Sequence, residues 1–457
     1  MNGHGEHMTT QPEPVHSQAT LDRLKAIAGD ALAEAGREGA SAAEVALSMS
    51  SGLSVNVRLG DVETIEHTRD KGLGLTVYFG KKKGSASTTE FGDRAVTETV
   101  RAACAIARYT SEDDCAGLAD AGRMAQSIPE LDLVHPWPLT PERAIEIGLE
   151  TENAARSFDP RITNSEGAGV NQHEAAYVYA NSHGFVGGYA SSRHSVSCAV
   201  IAEENGAMQR DYWYSVARNA GELEDFEGVG KTAARRTVER LGSRRLTTRE
   251  VPVIYTADVA RGLLGHFVGA IRGSSLYRQA SFLLDHLGKQ VFPPAFRIRE
   301  EPHIRRGLGS APFDNEGVTT EARELVSDGV LQGYVLDSYS ARKLGMETTG
   351  NAGGIHNLSV DTADVSFDAL VKEMGAGLVV TELMGMGVNN VTGDYSRGAC
   401  GFWVENGEFA YPVEEITVAG NLRDMYAGIR RVANDVDLRG NIRTGSILLE
   451  RMTVAGE

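Results

Sequence analysis

Cysteine is scarce. The 457 residues hold four, Cys104, Cys115, Cys198 and Cys400, none in a Cys-x-x-Cys pair, which argues against a disulfide framework and a zinc ribbon. Long apolar runs are missing too: no stretch approaches the roughly 18 consecutive apolar residues of a membrane span. The opening Met1-Asn-Gly-His-Gly-Glu-His-Met8 lacks the basic flank and apolar centre of a secretory signal. Positive charge is in deficit, because 45 Lys+Arg against 62 Asp+Glu leave a net charge of −17, a field that repels phosphate backbones. The densest basic runs, Lys81-Lys82-Lys83 and Arg244-Arg245, are too short to reverse it. No nucleic acid and no membrane is therefore expected as a partner, and a reducing, cytoplasmic location is the default. Proline is sparse at 13 while glycine reaches 52, a pairing that favours tight β-turns and close backbone contact over Pro-rich linkers. Hydrophobic residues at 41% and charged residues at 23% are globular values. The length suits two or three domains with hydrophobic cores of their own.

Periodicity then divides the chain. Residues 1–18 are polar and unpatterned and read as a disordered tail, in which Met8 is a possible working start. Leu21, Leu24, Ala28 and Ala31 keep helical spacing over 20–36. The period switches to two through Val45–Met49, Leu53–Leu59 and Leu73–Phe79, the mark of an antiparallel meander. Asp93 reads as the cap of a helix with Val96, Val100, Ala103 and Ala107 on one face, and Thr140-Pro141-Glu142 opens another. Strands resume over 174–217, with Asn205-Gly206 as a hairpin turn, and 229–241 reads as a helix. The polar stretch 242–250 marks a boundary, giving an N-terminal α+β domain at 19–245 and a C-terminal, mostly antiparallel β domain at 246–457, barrel-like or sandwich-like. Beyond one helix at 256–272, hairpin signals dominate, at Asp328-Gly329 and Asn406-Gly407.

Few motifs carry chemistry. His173-Glu174-Ala-Ala-Tyr177 copies half of a zinc-protease helix, but Tyr177 replaces the second histidine and the segment alternates like a strand, so a solvated strand is preferred. His4, His7 and His16 sit on a tail that cannot fix ligand geometry. Gly228-Val-Gly230-Lys231-Thr232 resembles the end of a phosphate loop, yet Asp225 stands where the upstream glycine belongs, which leaves a turn leading into a helix. Cys198 and Cys400 lie in apolar surroundings and read as packing.

One block stands apart, from Glu382 through Leu422. Its glycines alternate with Asn389, Asn390, Thr392, Asp394, Ser396 and Arg397, a composition suited either to tight turns or to presenting main-chain groups to a bound peptide. It closely resembles the signature of the TldD/PmbA family, and Glu44–Val77, Ala105–Asp113, Ala116–Ala119 and Lys343–Asn351 agree with it, over about 20–455 in all. The resemblance implies a cytosolic protein of bacterial type concerned with proteolysis of small peptides and unfolded proteins. Within the family it is similar to the PmbA (TldE) type, the non-metal partner of TldD. TldD-type chains carry His-Glu-x-x-x-His on a helix plus a late cysteine, which together hold zinc. Here the corresponding helix is taken as Leu264–Arg272: His266 survives, Phe267 replaces the glutamate, Ile271 replaces the second histidine, and no cysteine follows Cys400. Phe and Ile supply neither lone pairs nor protons.

The resemblance therefore implies no catalytic residue, no metal and no cofactor in this chain, zinc residing in a TldD-like metal-bearing partner. Unfolded peptides would be held by Asn389, Asn390, Asp394 and Arg397, with a homodimer as the possible state of the chain alone. Two alternatives stay open. One is a stand-alone metal-dependent peptidase using ligands such as His173, His183 and His194; the other is a non-catalytic peptide-binding scaffold.

Overall fold

A computed structural model describes residues 13–456. His4, His7, Met8 and most of the expected tail lie outside the described residues. Its last part is corrected: Val15 is buried, His16 Nδ1 lies 2.6 Å from Glu174 Oε2, and the Ser17 hydroxyl accepts from the Thr20 amide. Apolar Val15 and the Glu174 carboxylate tie this segment down.

The first half runs α1 (Gln18–Arg37), β1 (Ala42–Arg58), β2 (Asp61–Phe79), β3 (Lys82–Thr88), α2 (Asp93–Tyr109), α3 (Pro141–Arg156), β4 (Ile162–Asn181), β5 (Val186–Glu204), β6 (Ala207–Ala217) and α4 (Phe226–Glu239). Its six strands form one antiparallel sheet in the order β3-β2-β1-β4-β5-β6. Alternation puts Ala43, Val45, Leu47 and, further along, Leu53, Val55, Val57 of β1 on the same face. Near its start that face packs on α1 and α2 through Leu24, Ala28, Val100 and Ala103; near its end it packs on α3 and α4 through Ile147, Ala155, Val229 and Ala233. The apolar pattern lapses at Ser50-Ser51-Gly52 because the strand there passes between the two helix pairs. It does not end, so the two runs 45–49 and 53–59 are one strand. Leu59 belongs to the turn, at φ 54°, and the buried Glu152 carboxylate accepts from both the Leu59 and Gly60 amides at 2.7 and 2.9 Å.

Three further local readings shift. Gly92, not Asp93, caps α2, and Asp93 takes the first helical position, where its charge meets the amide end of the helix. The second strand run starts at Ile162, twelve residues before the alternation shows it. The Gly228–Thr232 segment sits inside α4, capped by Asp225 Oδ2 on the Gly228 amide at 2.9 Å. A Cβ on Gly230 would lie 2.0 Å from Thr151 O of α3, so this glycine serves helix–helix approach.

The second half continues β7 (Arg249–Tyr255), α5 (Ala257–Ile271), α6 (Gly273–Tyr277), β8 (Ile298–Glu300), β9 (Arg323–Ser327), β10 (Val330–Leu331), α7 (Ser338–Lys343), β11 (Leu358–Val360), α8 (Phe367–Met374), β12 (Gly377–Met384), β13 (Asp394–Glu405), β14 (Glu408–Asn421), α9 (Leu422–Ala427), β15 (Ile429–Val432), β16 (Ile442–Arg443) and β17 (Ile447–Ala455). The larger sheet has the order β14-β13-β12-β7-β17-β15, and β14 also pairs with β17, which closes five strands into a barrel-like ring. β7 and β12 are parallel; the other pairs of the ring are antiparallel. Val253 and Tyr255 of β7 pack in the cluster that includes α5, whereas Ile254 between them packs on α8. The fold class is thus α+β with a β-rich second half. Asn205-Gly206, Asp328-Gly329 and Asn406-Gly407 all turn with positive φ at both residues.

Where the halves meet, Tyr179 and Phe185 of the first sheet region pack on Phe313 and Val318. Beside them, burial pushes the carboxyls of Asp314 and Glu316 up to about 6 and about 7. The folded chain thus holds protons that the unfolded chain releases between about pH 4 and pH 7, and stability from these groups falls as pH rises through that window. Glu316→Gln keeps an acceptor for the Ser338 amide, now at 3.0 Å. It should match the wild type near pH 4 and exceed it by about 2 kcal/mol near pH 8. Urea midpoints at the two pH values test this; an equal offset at both would show that the carboxyl is not protonated on folding.

Candidate functional site

The glycine-rich block folds as β12, β13 and the hairpin 385–393 between them, leaning against α5. Asn389 Oδ1 accepts from the Val391 and Thr392 amides at 2.9 and 3.4 Å, and Asp394 takes the Thr392 hydroxyl at 2.6 Å and Asn421 Nδ2 at 3.2 Å. Both side chains therefore close the turn. A Cβ on Gly387 would sit 2.0 Å from Ser396 O, so this glycine lets the hairpin strands meet. Asn390 is exposed, its amide group near Gly269 of α5, and its carbonyl accepts from the Phe282 amide at 2.9 Å. Met384, Met386 and Val391 leave apolar surface at the tip. Arg397 turns inward, donating to Leu383 O at 3.3 Å. The structure thus groups Arg397 with α5 and spends Asn389 and Asp394 on the loop.

Backbone pairing corrects one expectation. β13 is bonded to β14 on one side from Asp394 to Glu405, and on the other to β12 from Gly398 to Val404 and to the returning arm of the hairpin, Gly387–Asn389, at Asp394–Ser396, so residues 394–401 offer no free edge. The open edge belongs to β12. Its partner β7 ends at Tyr255 opposite Val380, and beyond that point Thr381–Met384 have β13 on one side and no strand among the described residues on the other.

Helix α5 separates the three positions of the degenerate metal motif. Leu263, Leu264, Phe267, Ala270 and Ile271 form its buried stripe; Phe267 is fully buried, its ring 5.0 Å from Phe292 and 6.0 Å from Tyr426. Ile271 is equally buried. His266 projects elsewhere, 5.9 Å from Tyr395, whose hydroxyl meets that of Tyr255 at 3.2 Å. Burial first, and the nearby Arg397 charge second, push the His266 imidazole below its ordinary range. A divalent cation at His266 would meet that guanidinium and a single ring nitrogen, so these residues do not fit a metal. Among the described residues no group of three or more His, Cys, Asp and Glu could hold one. Cys400 is buried on β13, and burial raises its thiol; burial pushes Cys198 up to about 12.

The ligand set His173, His183 and His194 does not assemble. His173 pairs with Arg193 across β4 and β5 while His194 pairs with Gln172, so the two histidines project from opposite faces of the sheet. His194 is fully buried, its Nε2 2.8 Å from His135 O and its ring 5.4 Å from Trp137; His183 lies in the turn after β4. Glu174 is buried, not solvated: it accepts from Gln172 Nε2 at 3.0 Å and faces His16.

Sequence reasoning missed a cavity of about 260 Å³ between the halves, at the start of α5 and beside the open edge of β12. Trp213, Arg236, Asp258, Arg261, Arg397 and Arg439 are among its walls. These come from segments scattered over more than 200 residues, and the only local signal was the aromatic run Tyr212-Trp213-Tyr214.

Three family profiles match the chain. They are described as PmbA/TldA metallopeptidase domain 1 over residues 43–107, central domain over 134–241 and C-terminal domain over 248–456. The chain is 54% identical to the protein named metalloprotease PmbA of Escherichia coli O157:H7, covering 91% of this chain and 92% of that one. It is 51% identical to the metalloprotease PmbA homolog of Haemophilus influenzae, covering 96% and 97%. The metalloprotease TldD homolog of Haemophilus influenzae is 24% identical, covering 81% and 80%. In fold, the chain superimposes with a TM-score of 0.90 on a Bacteroides thetaiotaomicron protein described as a candidate modulator of DNA gyrase, at 29% identity over 95% and 99% of the two chains. TldE of Thermococcus kodakarensis gives 0.83 at 20% identity over 94% and 100%, a likeness of fold.

Proposed function

Because the chain belongs to the PmbA/TldD family, we propose that it is the metal-free, non-catalytic subunit of a two-chain peptidase. A TldD-like chain carries the zinc, and this chain completes the chamber and holds an extended, unfolded peptide. The observation that carries this reading is the division of α5. Phe267 and Ile271 are packed into the core, and the one histidine of the motif stands beside Arg397. Peptide holding is supported by the open edge of β12 at Thr381–Met384, since an extended chain adds to such an edge through main-chain hydrogen bonds that ignore side-chain identity. Unfolded substrates alone have those groups free. Asn390 and Arg397 flank the path, and Asn389 and Asp394 hold the hairpin in shape.

The test is composition. Co-expressed with a TldD-like chain from the same genome, the tagged protein should pull it down in equal amounts, with zinc tracking the partner. The chain purified alone, as monomer or homodimer, should hold far less than one zinc per molecule. Stoichiometric zinc in the isolated chain, lost on His266→Ala, would reverse the assignment of roles.

A further inference from the structure

The cavity between the halves has an unbalanced set of charges. Asp211 Oδ2 lies 3.4 Å from Arg236 Nε and 3.5 Å from Arg240 Nη1, and Glu382 Oε2 takes Arg240 Nη1 at 2.6 Å. Asp258 lies 3.7 Å from Arg236. Asp437 receives the fork of Arg439 at 3.0 and 2.9 Å and Arg261 at 3.5 Å. Four carboxylates are thus shared by four arginines. The fifth arginine, Arg397, has no carboxylate within ion-pair distance among the described residues, and its Nε, like that of Arg236, is buried without a hydrogen-bond acceptor. In a chain of net charge −17, this leaves one local surplus of positive charge inside a cavity.

The walls restrict what can bring the anion. Trp213 has the Arg439 guanidinium 3.7 Å and the Arg236 guanidinium 5.2 Å from its ring centroid, and the rings of Tyr212 and Tyr214 stack on each other with centroids 6.3 Å apart. Arg236 and Arg439 are thus fixed between this aromatic wall and their own carboxylates, which leaves the planar fork of Arg397 as the cation for a flat, two-oxygen carboxylate. A volume of about 260 Å³ lies just under the usual range for small-molecule pockets and admits one or two amino-acid residues. The cavity also adjoins Thr381–Leu383, where the main chain of β12 is open.

We propose that this cavity is a terminal-carboxylate pocket: it takes the C-terminal carboxylate of an extended peptide, with Arg397 as its principal cation and Trp213 and Tyr212 as the floor for the last residue. The proposal rests on the reading of β12 as the peptide-holding edge, and adds which end of the peptide lies where. A single carboxylate on the Arg397 guanidinium cancels the surplus charge in one step.

Anisotropy of a fluorescein-labelled unstructured hexapeptide, as free acid or as C-terminal amide, tests it on the purified full-length chain, with N-acetylglycine as competitor. The acid should bind at least about tenfold more tightly than the amide. Arg397→Gln should bring the two together, Arg397→Lys should restore part of the difference, and Asn390→Ala should weaken both peptides alike. Equal binding of acid and amide by the wild type overturns the pocket and leaves peptide holding intact. Failure of both peptides, with binding of N-acetylglycine, would assign the pocket to free small acids and overturn the peptide assignment. If Arg397→Gln loses its thermal transition, the wild-type acid-to-amide ratio decides, and it should shrink as salt rises.

Discussion

Phe267→Glu, alone or with Ile271→His, is expected to unfold the second half of the chain and not to build a metal site. Phe267 is fully buried between Phe292 and Tyr426, and Ile271 lies on the same apolar stripe of α5. Removing such a ring costs about 3–5 kcal/mol through lost contacts and the cavity left behind. A carboxylate in its place adds the desolvation of an unpaired charge, since the rings that touch Phe267 are those of Phe292 and Tyr426. Phe267→Ala should lower the urea midpoint by about 1 M or more, and Phe267→Glu should accumulate insoluble or open to proteases. Added zinc should rescue neither. A soluble, cooperatively folding Phe267→Glu, Ile271→His chain that gains stability with zinc would mean that this helix can turn its buried face outward. The reading of α5 as a structural element would then fail.

The second large effect is an on–off difference in turnover. The isolated chain should leave an unstructured reporter peptide intact, and cleavage should appear on adding the TldD-like partner and vanish with a chelator. Within that complex, replacing both Asn390 and Arg397 with Ala should lower kcat/KM by about tenfold or more, the scale of one lost charge-assisted contact plus one amide contact. Gel filtration checks that the double variant still pairs with its partner. Chelator-sensitive cleavage by the isolated wild-type chain would sink the division of labour. Unchanged kinetics in the double variant would reduce the hairpin and Arg397 to scaffolding.

Much of the local structure was legible because it depends on neighbours in sequence. The stripe Leu21-Leu24-Ala28-Ala31 makes α1 whatever it packs on, and Thr140-Pro141 starts α3 with a hydroxyl cap and a residue that needs no amide donor. The three Asn-Gly and Asp-Gly pairs turn with positive φ at both residues, because Gly, Asn and Asp enter the left-handed region at less cost than other residues. Where reading failed, a distant partner had changed the local rule. Ser50-Ser51-Gly52 looks like a strand end, yet β2 and β4 pair straight across it. Glycine 230 looks like part of a phosphate loop, yet it is small because α3 lies against it.

The candidate site divides the same way. By its residue types alone the sequence determined that Phe267 and Ile271 cannot ligate metal, since that follows from atoms and not from position. It also determined that the 382–422 block is rich in turn-forming and hydrogen-bonding residues, and that a net charge of −17 disfavours nucleic acid. Only the tertiary structure decided which of those polar side chains are free. It tied Asn389 and Asp394 into the hairpin, left Asn390 exposed, sealed both edges of β13, and opened β12 beyond Val380. It also drew Arg397 together with Trp213, Arg236 and Arg439, residues up to 226 positions apart. Hydrogen-bond capacity is a property of a side chain and can be read from its letter. Whether that capacity is already spent depends on which remote segments arrive beside it, and those arrivals are set by burial of the whole chain's apolar faces.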